Sequence, residues 1–171
     1  MKILSRVRLK WVAYALELLL VCIVQYTPNL LPTFLGVKPL LLSVFAISIA
    51  MFEGETSAMW FGCAAGILMD VMSTSVFGFN TIMLMVVCYF CGALVIFLMR
   101  NNIVSAMVLG VCGLIVIEVM RWLFFYVLWG DAKMWYYLYA VMLPQVVYSA
   151  VIMPIAFYFN RSIAAHLSEE E

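Results

Sequence analysis

Charge is what this sequence has least of. Only 11% of its 171 residues are Asp, Glu, Lys or Arg, against 68% that are hydrophobic. A soluble domain is roughly half apolar and about a quarter charged, so most of this chain cannot face water and its surplus apolar surface must face lipid. The nine basic and nine acidic residues cancel. That balance leaves no net positive field to attract a nucleic acid, and no nucleic-acid partner is expected. Histidine is nearly missing as well, since His166 is the only one and stands at the far C-terminus. Without a His/Cys set, a Walker loop or a nucleophile beside a base, no metal, no cofactor and no catalysis by this chain alone is expected. Long polar loops are also lacking, so no segment is large enough to fold as a domain in water.

What is present is apolar sequence in long runs. From Phe77 to Met99 there is no charged residue, and a run of that length covers the roughly 30 Å hydrocarbon core at about 1.5 Å per residue. The expectation is an all-α, polytopic membrane helix bundle of about six transmembrane helices, a single integral membrane domain over residues 1–171. The spans are expected at about 11–31, 39–52, 56–71, 78–99, 103–129 and 136–159. Pro28 and Pro32 end the first, because proline lacks a backbone donor and clashes with the preceding turn. That span is read as a retained anchor, because Thr27-Pro28-Asn29 offers no small-x-small cleavage site. Glu53-Gly54-Glu55 separates the second and third, which are short for full crossings and are also compatible with a re-entrant hairpin. Arg100-Asn101-Asn102, Gly130-Asp131 and Asn160-Arg161 stop the last three. The cysteines Cys22, Cys63, Cys88, Cys91 and Cys112 all fall inside apolar runs, and the C-x-x-C of Cys88 and Cys91 is read as small apolar filler.

Several polar and small residues interrupt these runs. Gly54, Ala58, Gly62, Gly66 and Asp70 follow at intervals of four, and Gly62 to Gly66 is a G-x-x-x-G. Such a face lets another backbone approach closely, and the neighbour is expected within this chain. Leucine at Gly62 or Gly66 is expected to be severe and alanine milder. Asp70 ends the row, either capping the Ser73-Thr74-Ser75 segment or binding a ligand. Glu118 and Arg121, three apart on one helix face, are read as a structural ion pair rather than a proton relay, since arginine does not deprotonate at ordinary pH. Glu17 is expected to snorkel or to pair with Arg121 or Arg8, with Gln25 on roughly the same face. Pro144, Gln145, Tyr148, Ser149 and Pro154 make the sixth span irregular, which suits either a small pocket or a kink. Trp122, Trp129, Trp135, Tyr136 and Tyr137 read as an interfacial aromatic belt.

The stretch from Glu53 to Asn80 resembles the bacterial rod shape-determining protein MreD family. That family has a glycine opening a helix, a G-x-x-x-G-(hydrophobic)-x-x-D and a glycine before the next span, and Gly62, Gly66, Asp70 and Gly78 fall on those positions. The resemblance implies a helix-packing or partner interface at Gly62, Gly66, Asp70 and Gly78, and a fold similar to the substrate-binding subunits of energy-coupling-factor transporters. It implies a non-catalytic scaffold of the cell-wall elongation machinery in the bacterial inner membrane. The implied partners are an MreC-like bitopic protein and a complex with MreB, a transpeptidase and a polytopic glycosyltransferase, within membrane lipid. The alternative is a small-molecule-binding subunit of an energy-coupling-factor importer. Those subunits usually carry an A-x-x-x-A near the first span, which Ala13-Tyr14-Ala15-Leu16-Glu17 does not show. An ion or proton channel has only Glu17, Glu118 and Arg121 in its favour.

Orientation follows from the basic residues of the short loops. With six spans and both termini cytoplasmic, Lys2, Arg6, Arg8, Lys10, Arg100 and Arg161 lie inside and Lys38 and Lys133 outside, six against two. A C-terminal alkaline phosphatase fusion should therefore be inactive and a C-terminal fluorescent fusion bright. The reverse pair of results would require an odd number of crossings.

Overall fold

The computed structural model describes residues 2–28, 30, 32, 36–73, 76–97, 102–128 and 134–168, without the side chains of residues 2–8, 134 and 167–168. Asn29, Leu31, Thr74, Ser75, Met99, Arg100, Asn101, Trp129, Gly130, Asp131, Lys133 and the terminal glutamates lie outside the described residues, as do the side chains of Lys2, Arg6 and Arg8. The described elements are helical throughout: α1 (Lys2–Tyr26), α2 (Leu41–Ala50), α3 (Glu55–Met72), α4 (Phe79–Phe97), α5 (Ile103–Trp122, continued by a π turn Leu123–Val127) and α6. The last is one continuous helix made of Met134–Tyr137, a π turn Leu138–Met142 and Leu143–Ser168.

Four of these helices are long and apolar enough to cross a bilayer, over Leu9–Tyr26, Phe79–Phe97, Ile103–Val127 and Trp135–His166. Their large side chains point away from the protein: Leu16, Leu20 and Ile23 on α1, Phe90 and Ile96 on α4, Val116 on α5 and Val151 and Ile155 on α6 are exposed. In lipid this is the low-energy arrangement, because acyl chains solvate apolar side chains as well as a protein core does. The inward stripes carry the smaller and more polar residues at helical spacing. They include Tyr14, Glu17, Leu18, Cys22 and Gln25 on α1, and Ala58, Phe61, Gly62, Ala65, Gly66, Met69 and Asp70 on α3.

α2 is the hub. It packs against α1, α3, α4, α5 and α6, and nine of its ten residues are buried. At about 1.5 Å per residue its ten residues reach only about half of the hydrocarbon core. The segment expected to span at 39–52 thus holds a short helix enclosed by protein, entered through a non-helical approach in which Val37 and Leu40 are buried, and it runs from the level of Gln25 on α1 to that of Lys10. Irregular backbone at such depth is tolerated only where other protein groups satisfy it. Two side chains from distant helices do so here. Ser149 Oγ accepts from Leu40 N at 2.8 Å, and Gln25 Oε1 accepts from Leu42 N at 2.7 Å. After α2, Lys10 Nζ sits 2.7 Å from Glu53 Oε1 and ties the turn to α1.

α3 and α4 run antiparallel, with Ala58 against Gly92, Gly62 against Cys88 and Gly66 against Thr81. α5 closes on this layer through Gly113, where Ile47 of α2 and Val87 of α4 meet, and on α6 through Gly110, which faces Met153. α1 and α6 extend beyond the apolar spans expected for them, to Lys2 and to Ser168. Helices continue into polar sequence wherever no proline or glycine stops them, so apolar length alone underestimates helix length. Pro154 lies inside α6 without ending it.

Candidate functional site

The residues singled out in the α3–α4 region converge on Asp70. α3 ends at Met72, and α4 starts at Phe79 with its first N–H groups lacking helical partners. Asp70 supplies those partners. Its Oδ2 accepts from Gly78 N at 2.9 Å, Thr81 N at 3.0 Å and Thr81 Oγ1 at 2.6 Å. Its Oδ1 accepts from Asn80 N at 3.2 Å and Asn80 Nδ2 at 2.9 Å. A carboxylate from the end of one helix thereby caps the start of the next, where the positive end of the helix dipole favours it. Gly78 turns the chain toward that carboxylate with φ of 96°, a conformation that side chains disfavour.

The glycine face sets the closeness of this joint. A Cβ on Gly62 would lie 2.6 Å from Leu84 O and 2.8 Å from Cys88 Cβ. A Cβ on Gly66 would collide with Thr81 Cα and lie 2.7 Å from Thr81 N. The neighbour of the G-x-x-x-G is therefore α4 of the same chain. At Gly66 the obstruction is backbone, so the first added carbon already has nowhere to go and alanine, though smaller than leucine, is costly there too. Cys88 fills the space over Gly62, and all five cysteines are free.

From Asp70 the polar contacts continue to α5. Asn80 Oδ1 accepts from Arg121 Nη2 at 3.0 Å, and Arg121 Nη1 lies 2.8 Å from Glu118 Oε1. Asp70, Asn80 and Glu118 are each at least nine-tenths buried and Arg121 is half-buried, and the chain Asp70–Asn80–Arg121–Glu118 joins three helices. The expected ion pair is present, but it is one link of a longer network. Asn80 is the member that sequence reasoning missed: an asparagine at the start of an apolar run looks like an ordinary helix end. One signal was its position two residues after Gly78, in the first turn of the helix that follows the Asp70 loop.

An aromatic cluster lies alongside. Phe79 packs edge-on against Phe124 and Phe125 at 5.7 and 5.2 Å, Trp122 meets Trp135 at 5.9 Å, and Tyr126 stacks on Tyr137 at 4.3 Å. The π turn of α5 begins one residue beyond Trp122, and π turns often mark positions where a helix is adapted to a site. Trp135 and Tyr136 are exposed, as interfacial residues are, whereas Trp122 and Tyr137 are half-buried against their partners.

The remaining singled-out residues lie elsewhere. Gln145 is half-buried on α6, and its backbone carbonyl accepts from Ser149 Oγ at 2.7 Å. Glu17 neither snorkels nor meets Arg121. It is buried beside Asn160 of α6 and near Tyr14, because α1 presents the Tyr14–Glu17 face inward while Arg121 is engaged by Glu118 and Asn80.

A family model described as rod shape-determining protein MreD matches residues 5–163. No curated protein matches the chain, and no solved structure does.

The Asp70 joint makes a graded prediction. Asp70→Ala strips partners from several buried donors at once, each worth about 1–3 kcal/mol, and should lower resistance to unfolding in mixed detergent micelles by at least that much. Asp70→Asn keeps one acceptor oxygen and should lose about half as much. Gly66→Ala should fall with Asp70→Ala rather than with the parent. A parent-like Gly66→Ala would show that α3 and α4 do not approach as closely as described.

Proposed function

The chain belongs to the rod shape-determining protein MreD family, and on that premise we propose that it is a non-catalytic membrane scaffold of the cell-wall elongation machinery. In this reading it sits in the bacterial inner membrane with both termini cytoplasmic. It binds an MreC-like bitopic protein and helps to hold MreB, a transpeptidase and a polytopic glycosyltransferase in one complex. The observation that carries the proposal is the use made of Asp70, Asn80, Glu118 and Arg121. Their hydrogen bonds go to a helix start and to one another, which suits a rigid platform better than a turnover site. Such a platform offers lipid and a partner's transmembrane helix the same thing, an apolar helical surface, and packing against a single helix requires little else.

Depletion in the native organism separates the classes. Loss of rod shape, with rounding and swelling, is the expected result, and a nutrient auxotrophy with normal shape would favour the importer instead. The same strain tests the role of the ion pair. Removing one partner leaves the other charge unpaired among helices, which is worse than removing both. Glu118→Gln or Arg121→Gln alone should therefore reduce membrane abundance more than the double variant does. A Glu118→Gln protein present at parental abundance yet unable to restore shape would instead point to a transport role.

A further inference from the structure

Away from the Asp70 network, a second buried polar cluster joins α1, α2 and α6. Glu17 is 5% exposed, and Tyr14, Ser48 and Asn160 are fully buried. The amide of Asn160 is oriented by its own helix. Its Nδ2 donates to Ala156 O at 3.1 Å and to Ser48 Oγ at 3.1 Å. Turning the amide over would set Oδ1 against the Ala156 carbonyl, oxygen facing oxygen, so Nδ2 keeps this position and both of its hydrogens are committed. Asn160 thus turns only an acceptor toward the rest of the cluster, and Oδ1 receives no hydrogen bond from the described residues.

The Glu17 carboxyl lies beside that amide, and neither Oε1 nor Oε2 has a donor in hydrogen-bond geometry among the described residues. An ionised carboxylate is an acceptor only. Here it would meet another acceptor, in a place where water cannot offset the repulsion and where the described cation nearby is taken: Lys10 is paired with Glu53 at 2.7 Å. A buried charge so placed is neutralised at far lower cost than it is kept. One proton on Glu17 removes the conflict, because it turns one carboxyl oxygen into a donor for Asn160 Oδ1.

We propose that Glu17 is a proton-binding site inside the bundle, held as the neutral acid, donating to Asn160 Oδ1, and exchanging its proton with the Lys10–Glu53 end through the Tyr14 hydroxyl. Tyr14 is one helical turn from Glu17 on the same face of α1. It lies near both Glu17 and Glu53, with Lys10 over its ring at 5.9 Å, and its hydroxyl has no hydrogen-bond partner among the described residues. Among the described residues, Glu17 is thus neighboured by Tyr14 on α1 and Asn160 on α6, with Ser48 of α2 behind Asn160 and the Lys10–Glu53 pair beyond Tyr14. Loss of the proton leaves a single unpaired negative charge between α1 and α6 and weakens their contact.

The test uses the purified full-length chain in detergent and dicyclohexylcarbodiimide, an apolar reagent that modifies carboxyl groups in their protonated form. An adduct on Glu17 at neutral pH, absent in Glu17→Gln and diminishing as pH rises, is the expected result. It should be matched by an infrared carboxylic-acid carbonyl band that Glu17→Gln abolishes. Absence of both adduct and band overturns the proposal. Protection of Glu17 by sodium or potassium ions at constant ionic strength also overturns it, since a metal cation would then be the occupant. Abundance supplies an independent readout. A glutamine amide can donate to Asn160 Oδ1 as the acid does, so Glu17→Gln should stay near the parent while Glu17→Ala falls several-fold. A Glu17→Gln protein as depleted as Glu17→Ala would mean that the negative charge itself is needed, and the proposal fails.

Discussion

In a bilayer no water is present to satisfy a helix end, and the architecture follows from that constraint. Each interruption of helix inside the bundle leaves N–H groups that need an acceptor, and in two places the acceptor is a side chain brought from another helix. Asp70 serves the start of α4. Gln25 and Ser149 serve the start of α2. The joints are also the points at which helices are tied together, so backbone satisfaction and tertiary structure are the same set of contacts.

The buried short helix α2 explains the shape of the rest. A helix of ten residues cannot cover the hydrocarbon core by itself, so it and its irregular flanks are wrapped by longer helices. Those helices turn toward it small or polar faces, with Gly113 closing on Ile47 and Gly92 on the Ala50 carbonyl. The same closeness that lets α2 sit at the centre makes the glycines intolerant of even one added carbon where backbone lies opposite. Rigidity at the α3–α4 joint and in the Arg121 network then gives a bundle whose outer face is almost wholly apolar helix, the kind of surface that a membrane assembly requires.

The two polar clusters differ in a way that matters for function. Around Asp70 the described donors and acceptors are matched: a carboxylate faces N–H groups, and a guanidinium faces an amide oxygen and a carboxylate. Around Glu17 they are not, since acceptors outnumber donors and the Tyr14 hydroxyl is left over. A matched network holds a structure in one state. A mismatched one takes up whatever supplies the missing donor, and for a lone carboxyl in an apolar bundle the simplest supplier is a proton.

Local patterns in the sequence determined what local physics controls. Scarce charge and long apolar runs dictated an all-helical membrane protein. The four-residue spacing of Gly62, Gly66 and Asp70 marked a packing face, and the three-residue spacing of Glu118 and Arg121 marked a pair, because a helix places such residues together whatever surrounds it. Only the tertiary structure decided the rest. Asn80 reaches Arg121 across 41 positions, and Asn160 reaches Ser48 across 112. That α2 is a short helix wrapped by the others, that Asp70 serves the next helix rather than its own, and that Glu17 turns to Asn160 rather than to Arg121 all depend on which helices are neighbours. Helical periodicity fixes the face on which a residue stands, but the helix opposite that face is chosen by the packing of the whole chain.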